Sequence, residues 1–273
     1  MKKQITVAGV TFNVPIFSKY SPIESWNEII NGTWEPQTFK ILGKFVGNTD
    51  FVFEVGVDGA QTTLFTAAIA ARVLALDPIP ESIQYLQSCI DINPNFKEKI
   101  IPVQGALSNK RDKIMFTKGS ELFDDVHFTT FKHNVLVETY LIDDIENMFQ
   151  SKVTFINMDI EGGEYICLPA MNKWLELRKP KLLLSLHPGF LLNKTSKLNL
   201  KTYWIRFFRQ IKLFNCLRIF PYIYDLNTSK QIAPLALFRL KFLRGKIGRD
   251  LQILCSFNKL SLDETYNQKI GLR

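Results

Sequence analysis

The chain has 273 residues, of which 46% are hydrophobic and 22% charged, and a formal net charge of +8. That balance supports the buried core of one large α/β domain, and without repeats or low-complexity tracts it excludes a solenoid or an extended disordered chain. No apolar run reaches the roughly 20 residues that a membrane-spanning helix needs; the nearest, Leu64 to Leu76, is interrupted by Arg72.

In chain order, Gln4 to Val7 and Val10 to Val14 form a predicted β-hairpin around Ala8-Gly9; polar Gln4, Thr6, Thr11 and Asn13 argue against a signal peptide. Ser21 as N-cap and Pro22 in the first turn open a predicted helix that Asn31-Gly32 stops. A second helix is expected from Pro36 to Phe45, with Thr38, Phe39, Ile41 and Leu42 on its apolar side. From Phe51 the pattern changes to short apolar strands alternating with helices: strand 51–55, helix 62–71, strand 73–76, helix 81–93 and strand 100–103. This alternation predicts βαβ units and a parallel sheet. Further strands are expected at 153–158, 182–186, 218–224 and 252–257, and a polar, aromatic-dotted loop lies between Ser120 and His133. Residues 1–50 are read as an accessory hairpin and helices, 51–195 as the cofactor-binding core, and 196–273 as a basic C-terminal completion of the sheet.

Ligands of doubly wound sheets bind at the carboxyl ends of the strands. The first strand ends in Glu54-Val-Gly56-Val-Asp58-Gly59-Ala60, the second in Asp77-Pro78, and the third in Gly105-Ala106-Leu-Ser108. Asp77 is placed to accept hydrogen bonds from a ribose diol. A dinucleotide site wants GxGxxG so that a pyrophosphate can sit on the helix N-terminus. Here the turn has Gly56 and Gly59 only and carries the acids Glu54 and Asp58, which repel a pyrophosphate and suit a cationic sulfonium such as that of S-adenosylmethionine.

These motifs, with Trp34-Glu-Pro-Gln-Thr38, Asp77-Pro-Ile-Pro80, Ala106-Leu-Ser108, Asp159-Ile-Glu161-Gly-Gly-Glu164 and His187-Pro188, occur in order from about Trp34 to Leu192. Together they resemble the FkbM family of S-adenosylmethionine-dependent methyltransferases. The resemblance implies a Rossmann-like methyltransferase fold, a mostly parallel twisted sheet flanked by helices, and methyl transfer to a hydroxyl of a sugar, glycan or glycosylated small molecule. It carries cofactor-binding roles to Glu54, Gly56, Asp58, Gly59, Asp77, Pro78, Ala106 and Ser108. The chain departs from the family pattern at Asp58, usually Asn, at Ala60, usually Gly, at Asp77, more often Glu, and at Gly105, often Asn.

Methyl transfer to oxygen needs alignment and often a base. Asp159 follows a strand and should point into a catalytic cleft, with Gly162 and Gly163 bending the chain so that Glu161 and Glu164 gather beside it. His187 follows the next strand. The expectation is that His187 or Asp159 is the base and that Glu161 orients the acceptor. Each also has a plainer role: Asp159 as a turn cap, Glu164 paired with a lysine at the core rim, His187 packed against a backbone carbonyl. A metal held by Asp159, Glu161 and His187 is chemically conceivable, but nothing demands it. His127 and His133, with Phe123, Phe128 and Phe131, are candidates for an acceptor pocket or lid.

Between Lys201 and Arg249 the only acid is Asp225. Aromatics and arginines alternate there, at Trp204, Arg206, Phe207, Phe208 and Arg209 and again at Phe238, Arg239, Lys241 and Phe242. The preferred reading is an amphipathic helix with its aromatics on the sheet and its arginines in water; peripheral contact with an anionic surface is the second. A nucleic-acid methyltransferase is disfavoured because Asp159-Ile-Glu-Gly stands where amino-methylating enzymes carry Asn/Asp-Pro-Pro-aromatic. A non-catalytic binding protein retaining the fold is the other alternative. Cys89, Cys167, Cys216 and Cys255 show no CxxC spacing and fit free thiols in a reducing, cytoplasmic compartment.

Overall fold

The computed structural model describes residues 2–16, 23–116, 135–188, 200–237 and 251–262. It divides into two compact units. The first takes in the described residues up to Gly105 with Phe149–Ile156 and Leu262, and the second those of Ala106–Met148 and Asn157–Ser261.

The first unit opens on the expected hairpin, β1 (Lys2–Val7) and β2 (Val10–Pro15). Ala8 and Gly9 both have positive φ, at 50° and 80°, which gives the tight two-residue turn the twist of antiparallel strands requires. Helix α1 (Ile23–Ile30) places Trp26 edge-on to Phe12 at 5.6 Å and ends at Gly32; the Ser21-Pro22 cap lies outside the described residues. Helix α2 (Pro36–Phe45) buries Thr38, Phe39, Ile41 and Leu42, the side foreseen from their spacing. Then follow β3 (Phe51–Val55), α3 (Gln61–Ile69), β4 (Arg72–Asp77), α4 (Pro80–Asp91) and β5 (Ile100–Gln104). Strands β3, β4 and β5 pair in parallel. Lys99 closes the end of α3 by donating to the carbonyls of Ala67 and Ala70. Asn93 sutures α4 to the hairpin, accepting from the Asn13 amide and donating to its carbonyl.

In the second unit β6 (Ala106–Leu107), β7 (Lys113–Phe116) and β8 (Val135–Tyr140) make a small sheet, ordered β6-β8-β7, that the sequence pattern did not announce. Strand β6 has two residues, too few for periodicity to register. The polar loop expected between Ser120 and His133, with both its histidines, lies outside the described residues. Helix α5 (Ile142–Phe149) precedes β9 (Phe155–Met158), whose first half counts with the first unit and whose second half with the second. Next come α6 (Glu164–Ala170), α7 (Asn172–Arg178), β10 (Lys181–Leu186), α8 (Leu200–Leu217), β11 (Tyr222–Asp225), β12 (Lys230–Gln231) and β13 (Leu251–Ser256). β13 pairs antiparallel with both β10 and β11. The large sheet has the order β12-β11-β13-β10-β9-β3-β4-β5, so the chain is mixed α/β and Rossmann-like, as expected.

Two expectations need correction. The strand expected from Arg218 starts only at Tyr222, because Arg218 still donates to the Phe214 carbonyl and Pro221 has no amide to give a ladder. Helix α8 is amphipathic in the opposite sense to the preferred reading. It buries Arg206, Gln210, Leu213 and Leu217, spaced along one helical side, and leaves Trp204 and Phe208 exposed.

Candidate active site

In the first unit the chain leaves β3 through a turn with three positive φ values: Gly56 at 93°, Asp58 at 44° and Ala60 at 61°. Asn or Gly at the last two positions would meet that geometry at lower cost, which accounts physically for the residues the FkbM pattern prefers there. The turn is held from below by Asp77, at the end of β4. Asp77 Oδ2 accepts from the amides of Val57 at 2.8 Å and Asp58 at 3.2 Å, and Oδ1 from Ile79 at 2.8 Å. Its own carbonyl accepts from the Gly105 amide at 2.9 Å. Burial pushes the Asp77 carboxyl up to about 6, against the pull of the three amides. Three of its roughly four acceptor positions are therefore taken, leaving one on Oδ1 for a ligand hydroxyl. Asp in place of the family's more usual Glu is short enough to serve the turn in this way. Pro78 fixes the chain between Asp77 and Ile79.

Glu54 is fully buried within β3 and accepts the hydroxyl hydrogen bond of Thr62 in the first turn of α3. Thr62 was not singled out from sequence, since only the turn brings it back over the strand. Asp58 is exposed at the top of the same turn, and Gly59 packs against the Gln61 side chain.

The second unit carries the other candidates. Asp159 follows β9 with 38% of its side chain exposed. Glu161 has a φ of 45° and Gly162 one of 102°, so the bend falls on this pair, whereas Gly163 at −63° is already helical. Glu164 is fully buried, and its expected lysine is not its partner. Its Oε2 accepts from the Gly162 amide and its Oε1 from the His187 amide, both at 2.7 Å. That second bond ties the start of α6 to the end of β10. It sets the His187 ring between two acids: Nδ1 lies 3.4 Å from Glu164 Oε1, and Nε2 3.4 Å from Asp159 Oδ1. A neutral imidazole can donate to only one of these carboxylates, whereas a protonated one donates to both. The structure thus joins Asp159 and His187, as expected, and shows that Glu164, expected beside Asp159, is held to His187. The last acid of DxEGxE, at the helix start, was the available signal for it, but did not give its partners.

Ala106 is buried in β6, and Ser108 donates its amide to the Tyr140 carbonyl at 2.9 Å, so the Ala-Leu-Ser run is anchored to β8. An open cavity of about 780 Å³ against β7 and β8 is lined by residues such as Arg111, Lys113, Glu138 and Tyr140, and by none of the expected site residues. The four cysteines are buried. Burial pushes the thiols of Cys89, Cys167 and Cys216 up to about 12 and that of Cys255 further, which removes them as nucleophiles near neutral pH. Among the described residues no group of three or more His, Cys, Asp or Glu is placed to hold a metal ion.

Residues 50–197 match the family profile described as Methyltransferase FkbM domain. The sequence has no match among curated proteins. Among solved structures, the methyltransferase FkbM from Methylobacillus flagellatus is similar at 18% identity, with 88% of this chain and 55% of that chain covered and a TM-score of 0.46. The tRNA m1G37 methyltransferase of M. jannaschii gives 14% identity, 95% and 57% coverage and a TM-score of 0.42. The O-methyltransferase from Bacillus cereus, in complex with SAH, gives 12%, 81% of both chains and 0.41. The chain spans little more than half the length of the first two.

Proposed function

The chain belongs to the FkbM family of methyltransferases, and from that premise we propose that it is an S-adenosylmethionine-dependent O-methyltransferase acting on a hydroxyl of a sugar, glycan or glycosylated small molecule. When bound, the cofactor supplies an electrophilic methyl group on a cationic sulfonium. The residues present fit it: Glu54 and Asp77 are buried carboxylates beside a glycine turn, an arrangement that attracts a cation and ribose hydroxyls and repels a pyrophosphate. Gly56, Asp58, Gly59 and Pro78 would hold it with them; Ala106 and Ser108 are the contacts that the family resemblance implies from the second unit.

The observation that carries the reading is the imidazole of His187 set between Asp159 and Glu164. Asp159, the more exposed acid, takes the proton of the acceptor hydroxyl as that oxygen becomes nucleophilic. His187 receives or shares that proton through Nε2, and Glu164 fixes the ring from its other side. Glu161 orients the acceptor.

Calorimetric titration with S-adenosylmethionine, S-adenosylhomocysteine and NAD, followed by a sugar-acceptor panel, tests the assignment. Binding of the first two, no binding of NAD and methyl transfer to a hydroxyl are expected. NAD binding would overturn the cofactor, and tight cofactor binding with no turnover on any acceptor would select the non-catalytic alternative.

A further inference from the structure

Helix α8 turns its apolar residues the wrong way for a helix that serves only the core. Leu200, Trp204 and Phe208, four residues apart, are exposed at 75%, 46% and 55%. Trp204 and Phe208 stack at 5.9 Å, and Phe207 meets both rings edge-on at 5.5 and 5.7 Å, so the aromatics form one ridge. Contiguous exposed apolar surface of this kind marks an interaction site. The helix's own charges have one sign. Lys201 and Lys212 are exposed on the helix, and residues 200–217 contain no acid.

We propose that the outer face of α8 docks on the surface of an anionic lipid bilayer. The ridge supplies what the headgroup boundary takes up, tryptophan and phenylalanine flanked by lysines, while the opposite side of the helix stays anchored in the fold through Leu213 and Leu217. The helix lies on the surface, since no helix among the described residues is long and apolar enough to cross a membrane. A second copy fits the face poorly: a two-fold contact of α8 with α8 would bring the lysines of both helices together, and neither helix carries an acid to meet them.

The test is co-sedimentation of the whole protein with vesicles of phosphatidylcholine alone and of phosphatidylcholine mixed with phosphatidylglycerol. Binding to the mixed vesicles is expected, about tenfold stronger than to the neutral ones. The double variant Trp204→Ala/Phe208→Ala should lose most of the binding, and Lys201→Glu/Lys212→Glu should lose the preference for anionic lipid. All four side chains are exposed or ridge-forming, so both variants should melt as the wild type does. No binding to either vesicle, or undiminished binding by both variants, overturns the proposal. So does a wild-type dimer in light scattering that the aromatic variant dissolves, or aromatic-dependent binding to single-stranded RNA without binding to vesicles.

Discussion

Two strand-to-helix turns, one in each unit, are built alike but tied to different partners. The turn between β3 and α3 and the turn between β9 and α6 each hold an acid in the left-handed region, Asp58 and Glu161, next to or near a glycine that needs it. A buried carboxylate grips each turn through backbone amides, Asp77 in the first and Glu164 in the second. The difference lies in what else the buried acid holds. Asp77 accepts from three backbone amides and touches no titratable side chain through them. Glu164 accepts from the amide of His187, and so ties the turn to the end of β10. One arrangement fixes a loop; the other sets an imidazole beside an acid open to solvent.

Removing the ring should break the second turn's function and leave its shape. His187→Ala is expected to lower kcat about 100- to 1000-fold and to change its pH profile, with S-adenosylhomocysteine affinity unaltered; full activity would remove histidine from the mechanism. Glu164→Gln keeps one acceptor oxygen and loses the charge. It should cost about 1.5–3 kcal/mol of stability in denaturant unfolding and lower kcat by less than His187→Ala does. The Glu164→Asp variant, which restores charge but not reach, should recover neither fully.

The first turn answers to pH instead. Asp77 carries a carboxyl raised from 3.8 to about 6, chiefly by burial. The stability it contributes is thus fully present below about 3.8 and lost as pH rises through about 6. Binding should run the other way. Below about 6 the protonated carboxyl gives up an acceptor that the Val57, Asp58 and Ile79 amides use. S-adenosylhomocysteine affinity should then fall by up to about tenfold per pH unit, and Asp77→Asn should flatten that dependence. The smallest effect is expected at Ala60: Ala60→Gly relieves a left-handed alanine and should stabilise the fold by about 0.5–1 kcal/mol, read from the unfolding midpoint.

The contrast between the turns also explains what could be read from sequence. The turn after β3 was legible because its signals are local: a strand of five apolar-rich residues, two glycines, and an acid some twenty residues on. The left-handed backbone at Asp58 and Ala60 was not, since neither is glycine. Asp159 and His187 were legible as strand-end residues. The partners of Glu164 were hidden because the His187 amide lies 23 residues away and only the fold brings it close. The two-residue strand β6 gave no period to detect. In α8 the binary pattern was visible but its sense was not: alternating aromatics and arginines do not say which set is buried when an arginine such as Arg206 can itself be buried.

The most direct test is transfer of a labelled methyl group from S-adenosylmethionine by wild-type protein and by Asp159→Asn, on whichever sugar acceptor the panel identifies. The account predicts label on a hydroxyl oxygen with the wild type, and with Asp159→Asn a rate at least about 100-fold lower at unchanged cofactor affinity. Equal rates for the two proteins would contradict it.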